Sequence, residues 1–154
     1  MRDDRCAQLT RRRLLALGLG AGAAAAHAQS RPVQRAPIFV LNSLDGNVSV
    51  IDGTRFVELA RIPTGREPHH LYMTPDEKSV IVANAGSDSL TFIDPRTAEV
   101  QRTLRGMIDP YHLRFSPDMK WLVTNGNRLN HVDIYRWSGD SPTLAARIPT
   151  GKTP

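Results

Sequence analysis

The chain repeats itself at an interval of 42 residues, and that repetition limits its folding more than any other feature. Pro68 to Asp94 reads PHHLYMTPDEKSVIVANAGSDSLTFID, and Pro110 to Arg136 reads PYHLRFSPDMKWLVTNGNRLNHVDIYR. Pro68 falls on Pro110, His70 on His112, Leu71 on Leu113, Pro75 on Pro117, Asp76 on Asp118 and Lys78 on Lys120. Upstream, the same interval sets Phe39, Val40, Asn42, Val48, Val50 and Asp52 against Ile81, Val82, Asn84, Leu90, Phe92 and Asp94. Ala60 to Gly65 returns as Ala146 to Gly151, 86 residues later and close to two intervals. A unit repeated in this way cannot bury its own faces and must stack on copies of itself.

Within each unit the pattern is that of short strands. Ile38 to Leu41, Val80 to Ala83 and Trp121 to Val123 are continuously apolar, as expected of strands covered on both faces. Leu44-Asp45-Gly46-Asn47 carries the Asp-Gly hairpin signal, and Asn47 to Val50 alternates with period two, placing Val48 and Val50 on one face. Phe56 to Ile62 reads as an outer strand that Glu58 and Arg61 keep soluble. The next unit places strands at His70–Met73, Ser79–Ala83, Ser89–Ile93 and Glu99–Leu104. The one after repeats them at His112–Phe115, Trp121–Thr124, His131–Tyr135 and Thr143–Ile148. No amphipathic helix follows Ala28. Several strands in about 40–45 residues indicate a β-propeller, all-β, built from four-stranded antiparallel blades. The Pro-x-His-Leu start, the Ser/Thr-Pro-Asp-x-Lys turn, the apolar strand ending in Asn and the Val-x-Val-Ile-Asp strand together resemble the YVTN-type β-propeller repeat. This resemblance extends to YncE-like exported propellers and to cytochrome d1-type propeller domains. It covers residues 38–154 and implies fold more than activity.

The expected organisation is a partial blade at 38–65, blades at 66–106 and 107–151, and the start of another at 152–154. About two and a half blades fall short of the roughly 4–8 in a ring, so the chain reads as the front part of a longer propeller. Residues 1–28 have the layout of an export signal: Arg11-Arg12-Arg13, an apolar core from Leu14 to Ala26, and Ala26-His27-Ala28 as the cleavage pattern, with cleavage after Ala28. Thr10 to Leu15 resembles the twin-arginine signal, although Leu14 replaces the usual Phe and leaves the general secretory route open. The core is too short to span a bilayer, so no transmembrane segment follows signal removal. Residues 29–37, with two prolines, read as a linker. The formal charge of +5 is concentrated in the signal, where five arginines face Asp3 and Asp4, leaving +2 for the remainder. So weak a field argues against nucleic acid as a partner. Cys6, the only cysteine, lies in the same segment, so the domain beyond it carries no thiol, in keeping with an oxidising compartment.

The candidate site follows from where such units place their first strands, beside the central channel. His70 and His112 stand at the entry to successive first strands, with His69 beside one of them and Arg66 and Glu67 just upstream. Two readings remain open for the histidines: hydrogen bonding that ties one blade to the next, or ligation of a metal or haem iron. The resemblance implies the second as well, because some propellers of this kind hold haem d1 or copper through histidines. Asp76 and Asp118 read as turn residues, with Glu77 and Met119 where the family usually has Gly. Asp52 and Asp94 read as Asx turns, and Asn42, Asn84 and Asn125 as side chains bonding local backbone. Trp121 reads as buried between blades. There is no Gly-x-Ser-x-Gly elbow, no His-Glu-x-x-His and no Gly-rich phosphate loop, so no residue is assigned a catalytic role.

The resulting expectation is an exported, periplasmic propeller that binds a small molecule or protein on its channel face and leans away from being an enzyme. A haem- or metal-associated redox propeller using His70 or His112 is the alternative, with haem or metal as its cofactor. Lactonase-like hydrolysis through Arg66, Glu67, His69 and His70 is a further one.

Overall fold

A computed structural model describes residues 37–139 and 141–154. The expected export signal, Cys6 and residues 29–36 of the expected linker lie outside the described residues. Eleven strands form three antiparallel sheets, and the only helical element among the described residues is a single 3-10 turn at Ala85–Ser87. The first sheet holds β1 (Ile38–Asn42), β2 (Asn47–Ile51) and β3 (Glu58–Pro63) in that order. The second holds β4 (Pro68–Met73), β5 (Val80–Asn84), β6 (Ser89–Ile93) and β7 (Val100–Arg105). The third holds β8 (His112–Phe115), β9 (Trp121–Gly126), β10 (His131–Trp137) and β11 (Pro142–Pro149). Every pairing is between sequence neighbours, so the sheets are simple meanders that stack and do not exchange strands.

The interval of 42 residues becomes a stacking rule. In the first sheet Phe39, Leu41, Val48, Val50 and Ile62 point toward the second, where Leu71, Val82, Ile93 and Ala98 meet them. In the second sheet the equivalent residues Ile81, Ala83, Leu90, Phe92 and Leu104 point toward the third and meet Met107, Leu113, Phe115, Leu122 and Tyr135. Phe92 packs parallel to Trp137 with ring centroids 6.4 Å apart, and Phe115 meets Trp137 edge-on at 4.9 Å. Each fully buried apolar side chain of this size contributes about 1.5–3 kcal/mol. The two seams are therefore the main cohesive contacts between sheets that would be unstable singly.

Polar contacts lock the second seam. The carboxylate of Asp109, fully buried, accepts from the backbone N–H groups of Arg128 and Leu129 and pairs with the Arg128 guanidinium at 3.1 Å. Arg128 also donates to the Ala85 carbonyl at 2.9 Å, and Asp109 N–H donates to Asp88 at 2.8 Å. Within the third sheet itself, a second buried carboxylate, Asp133, is forked by Arg147 with both bonds at 2.7 Å and accepts from the Tyr135 hydroxyl at 2.9 Å. Burial pushes the Asp133 carboxyl up, but Arg147 and Tyr135 outweigh it and hold the group below the usual carboxylate range.

Several local expectations change. The first strand of the second sheet begins at Pro68, two residues earlier than the turn signals suggest, and the outer strand of the first sheet begins at Glu58, not Phe56. Phe56 instead occupies a turn at φ +54°. Asn42 and Asn84 do not bond local backbone. Their amides reach across the hairpin to Asn47 and Ser49, and to Ser89 and Thr91, because each stands opposite the start of the next strand. Asn125 does bond backbone, accepting from His112 N–H and donating to the Pro154 carbonyl, but neither partner is local. Ile38 and Val40 are 43% and 39% exposed, since among the described residues nothing covers the outer face of the first sheet. For the same reason Trp121 is half-buried on the outer face of the third sheet and is not enclosed between sheets.

Candidate functional site

Two strands bring the candidate residues together. β4 and β8 are the first strands of the second and third sheets and lie side by side at one edge of the stack. β4 begins at Pro68 and β8 two residues after Pro110, and both prolines are buried. Consecutive residues of a strand point to opposite sides. Stacking two copies of one motif therefore places equivalent side chains face to face.

The result is a double pair of rings. His70 and His112 lie with centroids 4.3 Å apart, and His69 and Tyr111 with centroids 4.4 Å apart. Tyr111 also meets His112 edge-on at 5.8 Å, joining the pairs. His69 and His112 are exposed, while His70 and Tyr111 are half-buried. Two residues further along each strand, the Arg114 guanidinium lies over the Tyr72 ring at 5.4 Å. The Leu113 N–H donates to His70 Nδ1 at 3.4 Å, a long bond that runs from one sheet to the next. That bond fixes which His70 nitrogen accepts and leaves Nε2 to carry the proton in the neutral ring. Burial, then the neighbouring His112, then Arg114 push the His70 imidazole below its ordinary value of 6.5. His70 is thus biased toward the neutral form, whose Nδ1 lone pair takes the Leu113 bond.

Arg66 and Glu67 are held by a different contact set. Their carbonyls accept from Gly86 and Ala85 N–H at 3.1 and 3.0 Å, and Arg66 N–H donates to Ser87 Oγ at 3.0 Å. The Glu67 backbone is left-handed, φ +52°. Its carboxyl lies against Gly86, where an added Cβ would stand 2.9 Å from Glu67 Cδ. Gly86 is thus what lets this acid lie down on the turn. The structure therefore groups His70 with His112 and His69 with Tyr111, and sets Arg66 and Glu67 against the Ala85–Ser87 turn. No cluster of three or more His, Cys, Asp or Glu side chains with metal-ligating geometry occurs among the described residues. The histidine pair on its own offers two donors.

Tyr111 and Arg114 are site residues that the motif reading passed over. Both were within reach of it, because the 42-residue interval that equates His70 with His112 also equates His69 with Tyr111 and Tyr72 with Arg114. The repeat drew attention to identities, whereas the site is built equally from the positions where the copies differ.

The turn carboxylates have local roles. Asp52 accepts from Arg55 and Thr54 N–H, and Asp94 from Arg96 and Thr97 N–H, as Asx turns do. Those backbone donors hold both carboxyls below their ordinary range. Asp76 and Asp118 are lowered in the same way, first by the Thr74 and Ser116 hydroxyls.

Comparison with known proteins bears on the whole chain. The profile of the YNCE-like beta-propeller family matches residues 12–154. No individually curated protein sequence matches the chain. Among solved structures, Kuenenia stuttgartiensis hydrazine synthase is similar at 22% identity and a TM-score of 0.60, over 75% of this chain and 33% of that one. The dihydro-heme d1 dehydrogenase NirN, in complex with DHE, is similar at 23% identity and a TM-score of 0.57, over 80% of this chain and 26% of that one. The periplasmic gluconolactonase PpgL of Pseudomonas aeruginosa is similar at 15% identity and a TM-score of 0.64, over 80% of this chain and 41% of that one. The chain thus spans well under half the length of each of these structures, and at such identities the likeness is one of fold.

Proposed function

The chain belongs to the YNCE-like β-propeller family, and from that premise we propose that it is an exported, periplasmic binding scaffold whose ligand or partner contacts the ring platform on β4 and β8. The observation that supports this most is the platform itself: four rings, His69, Tyr111, His70 and His112, gathered in two pairs at the edge of two adjacent sheets. Tilted rings in contact, whose outer members stay exposed, offer apolar faces and polar edges, which suits a flat polar ligand or an aromatic side chain of a partner. Arg114 beside Tyr72 adds a positive charge at the border. Export is supported by the arginine-rich, alanine-rich leader and its Ala26-His27-Ala28 ending.

Binding is tested by titrating the protein with candidate planar ligands while following Tyr and Trp fluorescence, with His69→Ala and Tyr111→Ala alongside. Loss of response in both variants, with unchanged circular dichroism, is the expected result; full binding by both would end the reading. Export is tested by fractionation and intact mass. A periplasmic species starting at Gln29, and retention in the cytoplasm on changing Arg11 and Arg12 to Lys, are expected.

A second reading, haem or metal association, is favoured by the closeness of His70 and His112, with His70 having to exchange its Leu113 bond or its Nε2 proton for the metal. Visible absorption and metal content of the purified protein test it, against His70→Ala and His112→Ala. A colourless, metal-free protein overturns it. Lactonase-like hydrolysis has less support, because Glu67 is laid against Gly86 and Arg66 is clamped by its backbone to the same turn. Lactone turnover unaffected by changing Glu67 and His70 would dispose of it.

A further inference from the structure

Glycine follows Asp or Asn at three places in the sequence, Asp45-Gly46, Asp52-Gly53 and Asn125-Gly126. A glycine there leaves the backbone nitrogen unshielded, so that it can reach the carbonyl carbon of the preceding side chain and close a five-membered ring. The fold treats the three places differently. Asp52 keeps only 8% of its side chain exposed, and its carboxylate is held by the N–H groups of Thr54 and Arg55 and by the Arg55 guanidinium. Asn125 accepts from His112 N–H at 2.9 Å, and Gly126 is buried in β9 opposite His131, whose ring would stand 2.5 Å from an added Cβ. Asp45 stands exposed at the tip of the β1–β2 hairpin, and among the described residues its carboxyl has no hydrogen-bond or ion-pair partner and acts on Arg61 only as a distant charge. The backbone bonds of that turn run from Asp45 N–H to the Asn42 carbonyl and from Thr64 N–H to the Gly46 carbonyl, and none of them uses the Gly46 N–H.

We propose that Asp45 is a modification site, the place where the folded chain undergoes spontaneous aspartate isomerisation. The Gly46 nitrogen attacks Cγ of the neutral Asp45 acid; the new N–C bond forms as the carboxyl hydroxyl and the amide proton leave as water, giving a succinimide. Water then adds at the Asp45 main-chain carbonyl carbon and breaks its bond to Gly46 nitrogen. The chain now runs through the former side-chain carbonyl, an isoaspartate of unchanged mass. At Asp52 the Arg55 N–H and its other donors keep the carboxyl ionised, the form that cannot lose water, and hold it in place. The product backbone is one atom longer at a turn whose Gly46 carbonyl accepts from Thr64 N–H at 3.0 Å, two residues before Arg66. Isomerisation thus loosens the hold on the loop that carries Arg66 and Glu67. It rests on no reading of what the ring platform binds.

The test is timed incubation of the full chain at pH 5.5, folded by circular dichroism and, in parallel, unfolded in guanidinium chloride, followed by peptide mapping with electron-transfer fragmentation to locate isoaspartate. In the folded chain isoaspartate should form about tenfold faster at Asp45 than at Asp52, and in the unfolded chain the two should react alike. Asp45→Asn supplies a second comparison, because it places two Asn-Gly pairs in one molecule. At neutral pH the folded variant should lose its position 45 amide about tenfold faster than that of Asn125, read as a gain of about one mass unit in the corresponding peptide. Asp45→Glu, whose longer side chain closes the ring poorly, should leave this peptide unchanged. Isoaspartate appearing first at Asp52 in the folded chain overturns the proposal. So does a folded Asp45→Asn variant in which position 45 and Asn125 react at the same rate, or a folded parent in which Asp45 stays intact while the unfolded chain reacts.

Discussion

His70 is the residue at which position and chemistry meet most closely. It accepts from Leu113 N–H across the seam, and burial with His112 and Arg114 nearby disfavours its charged form. A histidine whose folded value is depressed binds fewer protons in the native than in the unfolded state. Its contribution is therefore full above its ordinary value of 6.5 and is lost as pH falls toward the lowered one. Thermal melts should show stability falling from pH 7.5 to 5.5, with a shallower fall for His70→Gln, whose side-chain oxygen can still accept from Leu113. An equal slope in the variant would assign the effect elsewhere. Asp109 makes a stronger claim on stability. Its removal strands the N–H groups of Arg128 and Leu129, and bonds to charged groups contribute about 1.5–3 kcal/mol each. Chemical denaturation of Asp109→Ala should show a loss of about 2–3 kcal/mol, and a loss below 0.5 would refute the role given to it. The importance of Asp109 could not be read from the repeat, because its counterpart Glu67 has a different task and its partners arrive from two other loops.

At the scale of the element, the tight turns after β4 and β8 show how far a residue can depart from its pattern without loss of fold. Glu77 and Met119 stand where the repeat favours Gly, and both adopt left-handed backbone, φ +57° and +58°. The turns survive because Asp76 and Asp118 accept from Thr74 and Ser116 hydroxyls and from Lys78 and Lys120 N–H. A non-glycine residue in this region costs roughly 1–3 kcal/mol, and glycine returns part of that gain through the entropy of the unfolded chain. Glu77→Gly and Met119→Gly are each expected to raise stability by about 0.5–1 kcal/mol in urea denaturation. A decrease would show that the side chains have contacts outweighing the backbone. The strands themselves were legible to within two residues, because period-two alternation and Pro-Asp or Asp-Gly turns are local signals. Strand ends were less so: Phe56 carries strand propensity, yet Asp52 captures the chain in a turn there.

For the whole molecule, cohesion rests on two seams. Phe92 is 1% exposed, lies between Trp137 and the Arg102 guanidinium, and belongs to the second seam alone. Truncating a buried Phe to Ala costs about 3–5 kcal/mol. Phe92→Ala should therefore release the third sheet first, seen as faster amide exchange in β8–β10 than in β2. Uniform acceleration through all three sheets would mean that the stack unfolds as one unit.

The order of letters alone settled that this is an all-β chain of stacked meanders, because a 42-residue interval and alternating strands are visible without any contact map. It also pointed to the strand starts where His69, His70 and His112 stand. Tertiary structure decided which rings face which, that Tyr111 and Arg114 join them, and that Arg66 and Glu67 lie against a separate turn. It decided too that, among the described residues, nothing covers Trp121 or Val40, while Trp137 is packed into a seam. The physical reason is range: strand and turn preferences act between near neighbours, whereas pairing of rings and covering of faces depend on atoms some 42 residues apart being brought into contact.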